Sequence, residues 1–261
     1  MIGWCGGLET AAHIATLGAD FLEGGLAPLR LEDDEAFARA LALADASPLP
    51  VPVFSQFLPR DFRIVGPDAD HERVRRYLQR VARLMAACRS EVVVFGSGWA
   101  RKVPEGWSRD VASRQFCDVV RYASDALAPV GAVVALEAQN HTETNFLTTF
   151  PEARNLAASM ADANVGVIAD TYHLHVDQEP FETVWASAST LAHIHVSDSD
   201  RLAPGCGMFD FARFFRGLAV GGFRGRLTVE MMSKLEDAEI IRTLEFTRAT
   251  WTAAREDVPG R

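Results

Sequence analysis

Cysteine is scarce in this chain: four residues in 261, Cys5, Cys88, Cys117 and Cys206, none forming a CxxC pair. A disulfide framework is therefore not expected in a chain of this size. The opening residues, MIGWCGGLETAAHIATLGADFLEGG, lack the basic stretch followed by an apolar run that marks a signal peptide, so a cytoplasmic protein is expected. No apolar run approaches the roughly 20 residues of a membrane helix. Low-complexity linkers and shifts of composition are missing as well, and one domain over residues 1–261 is expected. Positive charge is in deficit. The 26 Lys and Arg against 35 Asp and Glu give a formal net charge of −9, which argues against nucleic-acid or anionic-membrane partners.

What remains is an ordinary globular composition, 48% hydrophobic and 23% charged, long enough for a large core. Apolar runs of four to seven residues alternate with longer segments of helical period, the pattern of βαβ units and a parallel sheet. The strand candidates are Ile2–Gly6, Phe21–Gly25, Val51–Phe57, Glu91–Gly98, Val133–Ala138, Val165–Asp170, Leu191–Asp198 and Arg226–Met232. Helices are expected at Leu8–Leu17, Glu35–Ala44, His71–Ala87, Arg109–Leu127, Pro151–Ala161, Glu182–Ala188, Phe209–Leu218 and Glu236–Arg255, ahead of a frayed DVPGR tail. Eight strands close most naturally as a barrel, which leaves no edge unpaired, so the fold class expected is α/β, a single (β/α)8 TIM barrel. The arginines of the third helix (Arg73, Arg75, Arg76, Arg80 and Arg83) read as the solvated outer face of a barrel helix rather than a phosphate site.

Four runs in the second half end at or beside a residue able to hold a metal: VVALE at Glu137, VGVIAD at Asp170, LAHIH at His195 and RLTVE at Glu230. Taken singly, a Glu after a strand is an ordinary solvated terminus and a lone His is a hydrogen-bonded core group. On four successive strands about 4.8 Å apart they can aim at one point. Three carboxylates and an imidazole are costly to bury unless a cation neutralises them. The oxygen-rich set suits one divalent ion, manganese first, then magnesium or cobalt, with zinc an option and copper disfavoured.

The blocks E-A-Q-N-H-T-E (Glu137–Glu143), D-T-Y-H (Asp170–His173), H-I-H-V-S-D-S-D-R-x-x-P-G-x-G (His193–Gly207) and T-V-E (Thr228–Glu230) resemble the xylose-isomerase-like superfamily of sugar isomerases and epimerases, most closely the ketose 3-epimerases of the tagatose and psicose type. The resemblance covers about Val133–Met232. It implies Glu137, Asp170, His195 and Glu230 as metal ligands, and Glu143, His173 and Arg201 as substrate-binding residues. It also implies that Glu137 and Glu230 exchange a proton on opposite faces of a small sugar or polyol, through a metal-stabilised enediolate. Barrels of this kind are often dimers or tetramers, so a homo-oligomer fits the reading, although no interface stands out.

His141-Thr142 departs from the Arg-Phe pair often found in the first block. The loop Gly96–Trp107 is a candidate lid, with Arg101 and Lys102 able to recognise a phosphate or carboxylate. Trp4 and Phe57 could wall the sugar's carbon face, but both read first as core. Cys206 reads as a small filler, and His175 and Asp177 as solvated loop rather than a second polar shell.

The same proton abstraction followed by loss of a hydroxyl would give a dehydratase (lyase) of a keto-inositol or dehydro-acid. Hydroxypyruvate isomerase relatives usually carry Gln at the position of His195. A three-zinc hydrolase of abasic DNA needs histidines that Val51–Phe57 and Glu91–Gly98 lack. A non-catalytic sugar-binding module would have no need of two opposed bases.

Overall fold

The computed structural model describes residues 1–231 and 235–258. Eight parallel strands close on themselves in chain order: β1 (Ile2–Gly6), β2 (Phe21–Gly25), β3 (Val53–Ser55), β4 (Val92–Phe95), β5 (Val133–Glu137), β6 (Val165–Asp170), β7 (His193–Val196) and β8 (Leu227–Val229). Around them lie α1 (Ala11–Thr16), α2 (Asp34–Ala46), α3 (His71–Cys88), α4 (Gly98–Arg101), α5 (Arg109–Leu127), α6 (Phe150–Met160), α7 (Thr171–Val176), α8 (Phe181–Trp185), α9 (Phe211–Val220) and α10 (Asp237–Glu256). The expected (β/α)8 barrel is observed. No helix among the described residues is long and apolar enough to cross a membrane. Met232, expected as the last residue of the eighth strand, and residues 259–261 of the expected tail lie outside the described residues.

The seventh and eighth strands are shorter than expected, and for the third and fourth backbone chemistry explains the shortening. Val51–Phe57 contracts to β3 because Pro52 has no N–H to give the ladder and Gln56 turns left-handed at φ 48°. Glu91–Gly98 stops at Phe95 because Ser97 also turns left-handed and Gly98 opens α4, so part of the expected loop is helical. The expected helix Leu8–Leu17 begins as a 3-10 turn, Leu8–Thr10, before α1. The helix α7, just after Asp170, had no separate apolar period to announce it.

The sheet has two faces of different character. Outward residues such as Leu22, Phe54, Phe95, Leu136, Val196 and Val229 join the large core against the helices. Phe21, Val53, Val92, Val94, Ala135 and Ile168 form a separate apolar cluster, the filling of the barrel's lower interior. Period-two alternation then carries the inward face upward to Glu23 on β2, Glu137 on β5, Asp170 on β6 and both His193 and His195 on β7. The lumen is thus apolar below and ionisable above.

On α3 Arg73, Arg75, Arg80 and Arg83 find acidic or aromatic neighbours, as an outer face should. Arg73 lies 2.7 Å from Asp61 and also pairs with Glu32, Arg80 pairs with Asp34, and Arg75 stacks on Tyr122.

Gly3 leaves room for the Phe21 ring that plugs the barrel floor; a Cβ there would overlap the ring. Gly3→Ala is expected to lower stability by about 1–3 kcal/mol in urea unfolding, through overpacking. Adding Phe21→Leu should return at least half of that loss.

Candidate metal centre

At the upper end of the barrel, one side-chain atom each from Glu137, Asp170, His195 and Glu230 lie within 4.8 Å of one another. His195 Nδ1 stands 3.0 Å from Glu137 Oε1, 3.2 Å from Glu230 Oε2 and 3.9 Å from Asp170 Oδ2. Glu137 and Asp170 close their strands, and His195 lies one residue before the end of β7. Glu230 lies one residue beyond β8, held in register by its N–H donating to the Val196 carbonyl at 3.1 Å. The four residues expected from sequence are brought together.

Asp170 tests whether a cation fits. Its Oδ1 accepts the Tyr172 N–H at 2.7 Å and so caps α7, while Oδ2, buried and facing His195, has no hydrogen-bond partner. An acceptor left bare in a dry interior is costly, and a cation at the shared point would satisfy it. The charges give the same indication. Burial, with the neighbouring Glu230 charge adding to it, pushes Asp170 up to about 6. Burial also raises Glu137, against the pull of His195. Burial acts to discharge His195, yet Glu23, Glu230 and Glu137 around it hold its pKa well above the ordinary histidine value. Burial acts on Glu230 as well, but the His195 and Arg201 charges outweigh it and leave its carboxyl below the usual range. Without a metal, the imidazolium is the cation these carboxylates share. A divalent ion would take the place of its Nδ1 proton.

A cavity of about 820 Å³ opens above the cluster, lined by Glu137, Glu143, His173, Arg201 and Glu230. Its size is within the range of small-molecule sites. His173 Nδ1 accepts the Asn140 backbone N–H at 3.2 Å, so the ring's proton sits on Nε2, 3.8 Å from Asp170 Oδ2. Arg201 lies over the Tyr172 ring, 3.1 Å from Glu143 and 3.7 Å from Glu230. Its backbone is left-handed, φ 54°, an unfavourable state for a non-glycine residue that the loop imposes. Asp198 organises that loop by accepting the N–H groups of Ser199, Gly205 and Phe209 at 2.8–2.9 Å.

A family model described as xylose isomerase-like TIM barrel matches residues 11–250. The chain belongs to that family. A ketose 3-epimerase of Arthrobacter globiformis is 30% identical over 135 residues, 51% of this chain and 47% of that protein. A 3-dehydro-D-guloside 4-epimerase of Escherichia coli is 24% identical over 169 residues, 62% of this chain and 64% of the other. The matched stretch thus spans about half to two thirds of these relatives' length. The crystal structure of a D-psicose 3-epimerase with D-tagatose from Clostridium cellulolyticum shares the fold, with a TM-score of 0.82 at 17% identity over 96% of this chain and 99% of that one.

Within this family barrel, several expectations need correction. Arg101 is fully buried and cannot meet a substrate anion. It donates to five backbone carbonyls: Gly96 (2.6 Å), Phe95 (3.2 Å), Glu137 (2.9 Å), Phe146 (3.2 Å) and Leu147 (3.3 Å). It therefore clamps the ends of β4 and β5 together and fixes the backbone that carries Glu137. Lys102 is exposed and does not line the cavity. Phe57 and Trp4, by contrast, are core as first read: Phe57 is stacked edge-on to Phe95, Trp4 packs against the core, and neither lines the cavity. Trp99 does, held by its indole N–H donating to the Pro59 carbonyl at 3.1 Å. Asp177 is more than solvated loop: it pairs with His141 and accepts that residue's N–H at 3.0 Å, pinning the start of the Glu143 loop. His175 is half-buried and edge-on to Phe209, and Cys206 is exposed.

Sequence reasoning passed over Gln139, whose Oε1 is buried without a partner and whose side chain lines the cavity, although it sits inside the first quoted motif. It also passed over Glu23 and His193, buried beside His195. A Glu in the middle of the apolar run FLEGG, and a second His two residues before His195, were the available signals.

Replacing Arg101 by Met should leave those five carbonyls without their shared donor and cost about 3 kcal/mol or more in urea unfolding. Arg101→Lys should recover less than half, because an ammonium has fewer donors and no planar fork.

Proposed function

We propose that this chain is a divalent-metal-dependent sugar isomerase or epimerase that inverts a carbon beside a ketose carbonyl, with 3-epimerisation the specific reaction. The observation that carries the reading is the bare, buried Oδ2 of Asp170 at the meeting point of three further ligand residues. Glu137, Asp170, His195 and Glu230 would hold the ion; three carboxylates and one imidazole suit manganese, with magnesium, cobalt and zinc as alternatives. When bound, such an ion supplies Lewis acidity to a carbonyl oxygen and the hydroxyl next to it.

The remaining chemistry belongs to the chain. Glu137 and Glu230 come from β5 and β8, on either side of Asp170 and His195, so a sugar between them meets a carboxylate on each face. One removes the proton next to the carbonyl and the other returns one to the opposite face. His173 donates from Nε2 to a substrate oxygen, and Arg201, steadied by Glu143, orients the sugar. Gln139 offers its free Oε1 to a hydroxyl. Trp99 closes the apolar side. Relatives named as a ketose 3-epimerase and a 3-dehydro-D-guloside 4-epimerase support proton transfer beside a carbonyl as the shared chemistry.

The test is solvent-deuterium exchange across a panel of ketoses and keto-inositols with the Mn²⁺-loaded protein. One deuterium at carbon 3 with inverted configuration is expected. Loss of water would select the lyase, and no exchange in any ketose would overturn the reading. Glu137→Gln and Glu230→Gln should each lower turnover by about 10²–10⁴-fold, the range for loss of a general acid–base group. Chelation should abolish activity, and Mn²⁺ should restore it.

A further inference from the structure

Glu23 lies one step down the barrel from the cluster, fully buried on β2. Its Oε1 stands 2.8 Å from His195 Nε2 and its Oε2 3.0 Å from His193 Nε2. Among the described residues its ion-pair partners are these two imidazoles alone. An ionised carboxylate accepts hydrogen bonds and donates none, so each facing Nε2 must carry a proton. For His193 the same tautomer leaves Nδ1, buried with no partner, as a bare acceptor rather than a bare donor, and Thr228 Oγ1 lies 2.9 Å from the same Nε2. For His195 the consequence reaches the site above. With its proton held on Nε2 by Glu23, the ring turns Nδ1 toward Glu137, Glu230 and Asp170.

A filler for this lumen is apolar, as Phe21, Val53 and Ile168 beneath it demonstrate. A buried carboxylate facing two imidazoles is a poor way to stabilise a barrel. It is a good way to orient a ligand, because the hydrogen bond on the far side of an imidazole fixes its tautomer and strengthens its donor nitrogen.

We propose that Glu23 is the positioning residue of the metal centre: it fixes His195 with the proton on Nε2 and Nδ1 as the metal ligand, while His193 braces the carboxylate from its other oxygen. The proposal rests on the metal-dependent reading above.

Glu23→Gln tests it. The amide removes the negative charge that holds the proton on His195 Nε2 and strengthens its Nδ1 as a donor, and it leaves one acceptor oxygen for two facing rings. Titration of the metal-free protein with Mn²⁺, followed by the electron paramagnetic resonance of the free ion, should give a dissociation constant about 10–100-fold weaker than wild type. The unfolding midpoint of the metal-free variant should match or exceed that of wild type, which loss of a structural strut would not allow. A second measurement needs no variant: ¹⁵N–¹H long-range spectra of the Mg²⁺-loaded wild type should show His195 protonated on Nε2. Mn²⁺ affinity of Glu23→Gln within twofold of wild type, or a proton on Nδ1 of His195, would overturn the role of Glu23 and leave the metal reading standing. A wild type that takes up no metal would overturn both.

Discussion

Everything at the upper end of this barrel follows from the placement of negative charge around a single imidazole. Glu137, Asp170 and Glu230 converge on His195 Nδ1, and Glu23 meets the same ring from below. So many carboxylates in a dry lumen cannot all ionise without a cation. The protonated ring meets that need only in part, since Oδ2 of Asp170 remains bare. A divalent ion would resolve the arrangement, and in the proposed reading it would leave Glu137 and Glu230 as the flanking carboxylates for proton transfer.

The surroundings are built to hold that arrangement rigid. Arg101 spends its whole guanidinium on backbone carbonyls at the ends of β4 and β5, which fixes where Glu137 starts. Asp198 does the same for the loop that carries Arg201, and the Asp177–His141 pair ties down the approach to Glu143. Catalysis by proton transfer depends on placing a base within hydrogen-bond reach of one carbon, and such clamps reduce the reorganisation this needs.

The barrel was readable because a parallel strand buried on both faces is written as an apolar run of nearly its own length. Ile2–Gly6, Phe21–Gly25 and Val165–Asp170 coincide with the observed strands. Strand ends were less readable where proline or a left-handed residue ended the ladder, as at Pro52, Gln56 and Ser97. The four candidate ligands were legible because each falls at or beside the end of an apolar run on four successive strands, where a charge that is unremarkable singly becomes costly as a set. Arg101 was misread because a buried clamp and a solvated cation are the same letter; only the carbonyls around it, from three separate segments, tell them apart. Glu23 was missed because its partners, His193 and His195, lie about 170 residues away and meet it only when the barrel closes.

The most direct measurement is anomalous diffraction from crystals of the protein soaked in Mn²⁺. A single strong peak is expected within coordination distance of Glu137, Asp170, His195 and Glu230, with His195 bound through Nδ1. A peak elsewhere, or none at that point with the protein otherwise intact, would contradict the metal centre and the chemistry built on it.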